Sequence, residues 1–584
     1  MEKIFNITSI VVFIAILICL FYLLINKENK KYIYIIFFIL IITLVIDLFL
    51  DLILINKYIH LLFIVLFIIT ILFLFKNIKL INNEHILSLL IKLFFIYYII
   101  LIFKTAWVSD DAFITFRVAD NFINGYGLRF NIEERVQAYT NTLFLFIFIP
   151  FYFILKDAYF TALFLNFLFA LLSILLFKKM ITEKEKFLFV ISGLCFSKAY
   201  IDFSTSGLEN SLTFFLLILF IYVYLKNIDL NKKTFYLFLI FSFIFLNRAD
   251  SILIVLPLLF IFFIKEGKNL KYALPGLIPI ILWEIFSIIY YGFPLPNTFY
   301  AKLNTGINRF DLIREGGLYF LNSLMIDPIT LFIIFSSIFI TFINFMTKNK
   351  TKLVYLTMGI ILYLIYVLFI GGDFMSGRFF ACCVPVALLI LANLIKEYKT
   401  SVTFLIIFIF LFLVSPFYTI YNLKVDNKIV VEIPVQRVSE REFYYSVTGL
   451  LNVLSNGKKN LDNSGYAKEA MKIKNSNMPG KKVGIAAAIG MFGYFAGPDV
   501  YIIDQVSLID AFAVRLPVTK RWRIGHFARQ WPEGYEETLR QDQNLIKDEK
   551  LAKLYDKISV ITKGPIFSKE RFKTILELNF KKGI

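Results

Sequence analysis

Cysteine and histidine are scarce in this chain, with four and three among 584 residues. Cys19, Cys195, Cys382 and Cys383 lie in or beside apolar segments, and the last two are sequence neighbours. Without metal-ligand spacing they read as apolar filler rather than as a metal centre. Charged residues make up only 18% of the chain. The first apolar run lacks a small-residue cleavage site, so an uncleaved first span is expected. No internal repeat stands out, which weighs against a transporter built from pseudo-symmetric halves. The glycine-rich stretch Lys482 to Gly497 lacks the spacing and the following acid of a dinucleotide fingerprint.

What is abundant is apolar surface: 59% hydrophobic and 18% aromatic residues, with a mean hydropathy of +0.75. Lipid demands that backbone groups be satisfied within helices, so the expected fold is a polytopic α-helical membrane protein. The wealth of Ile, Phe, Lys and Asn fits an AT-rich bacterial genome. The net charge of +19 would suit nucleic acid, but many lysines fall in short loops between apolar runs, as the positive-inside rule requires. No nucleic acid partner is expected.

Runs long enough, or nearly so, to span occur at 4–25, 33–55, 59–75, 86–103, 159–177, 187–203, 210–226, 234–247, 250–264, 272–291, 328–346, 353–370, 379–395 and 402–420. A shorter run, 141–155, carries Pro150. If that run does not cross, the lysine-rich loops at 26–32, 76–85, 178–186, 227–233, 265–271, 347–352 and 396–401 all share one side, the cytoplasm. About 14 spans are therefore expected, with 141–155 partly inserted and both chain ends outside. Asp47, Asp51 and Glu284 lie within spans and are expected to pair with neighbouring helices or sit near the interface. Residues 1–421 form the expected membrane domain. Residues 422–584 form a soluble α/β domain, with a mobile loop around 455–480 and strand, helix, strand over 482–504.

One polar stretch breaks the apolar background: Trp107-Val-Ser-Asp110-Asp111-Ala-Phe-Ile-Thr-Phe-Arg117. Ser109 suits an N-cap, and the two carboxylates suit a helix first turn. Arg117 falls two turns on and on the same face as Asp110. This predicts an interfacial helix with its acidic end at the membrane edge. Adjacent carboxylates there can act as general base, as metal ligands, or as both.

Further polar loops fall on the same outward side: Ser206-Gly-Leu-Glu209, Asn247-Arg-Ala-Asp250, Pro294-Leu-Pro-Asn297 to Lys302, and Gly371-Gly-Asp-Phe-Met-Ser-Gly-Arg378. Convergent polar groups over an apolar bundle describe a binding site. In the C-terminal part, Asp504 ends a predicted strand and His526 is one of only three histidines.

The stretch from Asp110 to Thr140, with the loop motifs above and the run from Ile503 to His526, resembles the GT-C glycosyltransferase superfamily. It is most similar to the terminal β-(1→2) arabinofuranosyltransferases of the mycobacterial wall and their bacterial relatives. The resemblance covers about 90–584. It departs at Gln137-Ala138, Asn141-Thr142, Ala249 and Ser251, and three extra spans precede residue 86. It implies a GT-C-like fold and an inverting transferase that uses a polyprenyl-phosphate sugar outside the cytoplasmic membrane. It implies Asp110 as base, Asp111 as second carboxylate, and a divalent metal (magnesium, manganese or calcium) held by this pair. No organic cofactor is expected.

Residue chemistry adds the remaining roles. The leaving group is an anionic lipid phosphate, for which Arg248, Lys302 and Arg378 are candidates. Arg117, Tyr139, Glu209, Asn297, Asp373, Asp504 and His526 are expected to contact substrate. The acceptor is a glycan, lipid or protein. The alternatives are a flippase for lipid-linked sugars, a transferase of phosphoalkyl or lipid groups, and a non-catalytic membrane scaffold.

Overall fold

A computed structural model describes residues 84–580 except 267–268, 304, 348–351, 458, 478–479, 520–521 and, apart from Phe404, Phe408 and Arg437, residues 396–438. The runs expected at 4–25, 33–55 and 59–75, with Cys19, Asp47 and Asp51, lie outside these residues, as does nearly all of 402–420.

The described chain is predominantly helical. Apolar runs become α1 (Glu84–Lys104), α3 (Thr142–Leu155), α4 (Ala158–Met180), α5 (Lys184–Phe196), α7 (Asn210–Leu225), α8 (Leu230–Asn247), α9 (Ile252–Lys265), α10 (Leu270–Tyr290), α13 (Pro328–Met346), α14 (Val354–Phe369) and α16 (Cys383–Leu394). Polar loops contribute α2 (Asp110–Ile123), α6 (Lys198–Ser204), α11 (Asn297–Leu303), α12 (Arg309–Ile326) and the single turn α15 (Arg378–Ala381). Among the described residues, four helices are long and apolar enough to cross a membrane: Leu87–Lys104, Ala158–Met180, Leu270–Tyr290 and Pro328–Met346. Several others, including α3, α7 and α14, are apolar but shorter. Helix α3 has 14 residues, or about 21 Å at the α-helical rise, against a hydrocarbon core of about 30 Å.

Local chemistry sets many boundaries. Asp327 precedes Pro328 at the start of α13; its carboxylate accepts the Thr330 N–H at 3.3 Å, and proline gives up a donor the first turn cannot use. Helix α12 fills much of the stretch between the apolar runs expected at 272–291 and 328–346. Asn308 caps it by accepting the Phe310 N–H at 3.0 Å. Its buried residues Gly316, Tyr319, Asn322, Ser323 and Ile326 recur at helical spacing.

The described residues fall into two compact units. One holds 84–101, 181–196, 395, Phe404 and Phe408; there Lys184 pairs with Glu84 at 3.1 Å and Phe189 packs on Phe404 and Phe408. The other holds the described parts of 102–180, 197–394 and 437–580, and every residue of the candidate site lies in it.

In this second unit the chain after residue 437 adds α17 (Glu440–Thr448), α18 (Leu450–Asn456), α19 (Lys459–Asp462), α20 (Gly465–Lys474), β1 (Lys482–Ala486), α21 (Ile489–Ala496), β2 (Val500–Asp504), α22 (Tyr535–Gln541), α23 (Glu549–Thr562) and α24 (Lys569–Phe580). The strands pair in parallel, from Lys482 opposite Val500 to Ala486 opposite Asp504, with α21 as the connection. Most of the mobile loop expected over 455–480 is short helix. Ser464 caps α20 by accepting the Ala467 N–H at 3.0 Å, and Ala467 and Ala470 are buried. The core here gathers Tyr501, Ile503, Phe512, Tyr535, Ile558 and Ile575, and it recruits Val136 and Phe293 from far earlier in the chain. The chain after residue 437 thus packs onto the polar loops between the apolar helices.

Candidate active site

Helix α2 is fixed at both ends by distant chain. Upstream, the Trp107 and Ser109 N–H groups donate to the Thr205 and Ser206 carbonyls at 3.2 and 2.9 Å. Gly207 lies against this pairing at φ +74°, where an added Cβ would be 2.8 Å from the Val108 side chain; a larger residue does not fit without movement. Ser109 occupies the N-cap position, but its hydroxyl makes no capping bond. Two turns along, Arg117 is buried over the Phe130 ring and donates to the carbonyls of Phe130 at 2.8 Å, Val500 at 2.9 Å and Gly493. It braces α2 against α21 and β2.

Asp110 is itself part of that brace. Its Oδ1 accepts the Met491 N–H at 2.8 Å and its Oδ2 the Gly490 N–H at 3.0 Å, both at the N-terminus of α21. An anion there meets the free amides and the positive helix end. A Cβ at residue 490 would fall 1.8 Å from the Asp110 carbonyl oxygen and 2.7 Å from Oδ2, so only glycine allows this approach. Burial pushes the Asp110 carboxyl up to about 6, with the Asp111 charge adding to it and the two amides opposing it.

Two cavities adjoin at this point. The larger, about 410 Å³, is lined by apolar groups such as Phe245, Trp283, Phe299 and Phe379, and by Arg248, Lys302 and Arg378. The smaller, about 270 Å³, is lined by Asp110, Asp111, Glu440, Arg523 and His526 with Tyr444 and Tyr466. Asp111 and Lys302 line both.

An ionic network floors the larger cavity. Arg248 pairs with Glu209 at 3.0 Å and with Asp250 at 2.9 Å. Arg378 faces Glu209 at 3.4 Å, Asp111 at 3.6 Å and Asp373 at 3.8 Å. Its Nε makes no hydrogen bond. This half-buried guanidinium is thus surrounded by carboxylates at long range, a setting in which an anion at shorter range would find donors. Asn247 holds the network in register by donating to the Glu209 carbonyl at 3.2 Å and to Thr213 at 2.9 Å.

The expected site residues separate by these contacts. Asp111, Tyr139, Glu209, Arg248, Lys302, Asp373 and Arg378 line the larger cavity, and Asp110 and His526 the smaller. Glu284, expected to pair with a neighbouring helix, lines the larger cavity too. Arg117, Asn297 and Asp504 line neither. Asn297 donates to the Ser507 and Leu508 carbonyls, both at 3.0 Å. Asp504 accepts the N–H groups of Val506, Leu508 and Ile509 and shapes the turn after β2; burial raises its carboxyl to about 7. Burial and the Arg523 charge hold the His526 imidazole below its usual range.

Glu440 was not among the residues expected from sequence. It is buried, and burial with the charges of Asp111 and Asp110 raises its carboxyl well above the usual range. A single glutamate in a charged stretch gives no signal of this; only the packing of α17 supplies it.

Both oxygens of Asp110 already accept amide hydrogens, and no cluster of three or more His, Cys, Asp or Glu side chains suited to an ion occurs among the described residues. Comparison of the chain with family models, curated proteins and solved structures returned no match.

Proposed function

We propose that this protein is a membrane glycosyltransferase that moves a sugar from a polyprenyl-phosphate donor to an acceptor hydroxyl, with inversion. The observation that carries this reading is the pair of adjoining cavities, which share Asp111 and Lys302: a larger one with apolar walls and Arg248, Lys302 and Arg378 set among carboxylates, and a smaller one lined by Asp110, Asp111 and Glu440. A lipid-phosphate donor has that same division, an apolar tail beside an anionic head. In this reading the chain crosses the bacterial cytoplasmic membrane about 14 times, with the site and a C-terminal α/β domain outside.

Arg378 and Lys302 hold the donor phosphate, and Arg248 keeps Glu209 in place beside Arg378. Asp110 accepts the proton of the acceptor hydroxyl. The freed oxygen attacks the anomeric carbon from the face opposite the phosphate, and the carbon–oxygen bond to phosphate breaks with its electron pair leaving on the phosphate. A base works best with a pKa near the operating pH, and the raised value of Asp110 meets that condition. Asp111, at the junction, stabilises the positive charge that develops on the sugar, by analogy with glycosidases. No step is routed through a metal.

The test uses purified protein in lipid with polyprenyl-phosphate pentoses and hexoses, following release of polyprenyl phosphate with and without chelator. Release with one sugar, lost in Asp110→Asn, supports the reading. Transport of intact donor across the bilayer, unchanged in Asp110→Asn, would mean a flippase instead. Chelator sensitivity would restore a metal to the mechanism.

A further inference from the structure

We infer that α24 is an interfacial helix that seats the C-terminal part of the chain on the lipid surface beside the end of α10. This inference is independent of the proposed chemistry.

Helix α10 displays an apolar stripe to its surroundings, with Leu274, Ile278, Leu282, Ile285 and Ile288 all exposed. In a helix able to cross a membrane that stripe faces lipid. The stripe ends at α24. Arg571, fully buried, donates to the Ile289 and Tyr290 carbonyls at 2.7 and 2.9 Å. Asn579 donates to the Gly292 carbonyl at 2.9 Å, and Gly292 packs so closely on Ile561 and Ile575 that an added Cβ would be 2.2 Å from the first. Helix α24 therefore lies across the last turn of a lipid-facing helix.

Successive residues turn roughly 100° around a helix, which divides α24 into three faces. Arg571, Thr574 and Ile575 face the protein and are buried. On one flank, Phe572, Leu576 and Phe580 form an exposed apolar stripe, joined by Phe567 just before the helix; Phe567 and Phe580 are 81% and 80% exposed. Lys569 and Lys573 border this stripe and are exposed. Glu570 and Glu577 occupy the other flank, where Glu577 pairs with Lys557 of α23 at 3.4 Å. Aromatic and aliphatic groups edged by lysines, with the acids turned away, match the acyl–headgroup boundary. Continuity with the α10 stripe selects lipid as the occupant over a protein partner.

The test uses the full chain in nanodiscs containing a phospholipid with a photoactivatable group near the top of its acyl chain, with adducts mapped by mass spectrometry. Adducts on the segment 567–580, together with those on α10, are expected. In Phe572→Ser/Leu576→Ser/Phe580→Ser, adducts on α24 are lost while those on α10 persist, which also reports that the variant is folded and inserted. Labelling of α10 without α24 in the natural sequence would overturn the proposal. So would crosslinks from α24 to a second copy of the chain.

Discussion

The two cavities differ in how they are built. The larger is framed mainly by the ends of apolar helices and the short loops between them, and its charges, Arg248, Arg378, Glu209, Asp250 and Asp373, answer one another. The smaller exists only because the chain beyond residue 437 closes over α2, bringing Glu440, Tyr444, Tyr466 and His526 above Asp110. One is mainly a product of where the apolar helices end, the other of the docking of the C-terminal chain. They are therefore expected to fail in different ways.

The largest expected effect is on chemistry in the smaller cavity. Asp110→Asn should lower turnover by about 10²–10⁴-fold, the usual worth of a positioned base, while one amide hydrogen bond to α21 survives and donor affinity is kept. Single-turnover kinetics with direct donor binding checks both halves. In the larger cavity, Arg378→Ala should weaken donor binding and destabilise the protein by about 1–3 kcal/mol, because Asp373 and Asp111 lose a charge partner while Glu209 keeps Arg248. Thermal melting in lipid, with and without donor, reads this. Gly490→Ala should cost about 1–3 kcal/mol through forced displacement of Asp110, and should lower turnover without changing donor affinity.

A titration sharpens the contrast further. The Asp110 carboxyl stands above its ordinary value when folded, at about 6. Between about pH 4 and 6 the native state holds a proton that the unfolded chain has released. Its contribution to stability is thus present at low pH and lost as pH rises through about 6, worth about 3 kcal/mol. Turnover should move the opposite way, rising through about pH 6 as the base loses its proton. A pH–rate profile set beside unfolding midpoints over the same range measures both. Smallest of all, Tyr126→Ala should leave both cavities unaffected, since Tyr126 is exposed and lines neither.

Much of the larger cavity was legible in the sequence, because apolar periodicity locates the helices and the polar residues at their ends then fall together. The acidic helix α2 was legible for the same reason, and the strand–helix–strand over 482–504 showed in its alternating and glycine-rich pattern. Helix α12 was not, since its buried face includes Gly316, Asn322 and Ser323, which carry no hydrophobic signal. Nor was the brace role of Arg117, whose carbonyl acceptors lie at Phe130, Gly493 and Val500. A conspicuous arginine on the face of the acidic pair invites a substrate role; only its partners show where its donors go. Asp504 teaches the same lesson at the end of β2, where three local amides absorb its oxygens.

The amides that hold Asp110 come from residues 380 and 381 positions later in the chain. Synthesis proceeds from the N-terminus, so α2 is made long before Gly490 and Met491 exist. A nascent chain can make the helix ends that frame much of the larger cavity while Asp110 still lacks the partners that set its position and proton affinity, and Leu508, Ile524, Gly525 and Phe527 have yet to close its wall. Biosynthesis thus imposes an order, with Arg248, Lys302 and Arg378 made before the amides that fix Asp110.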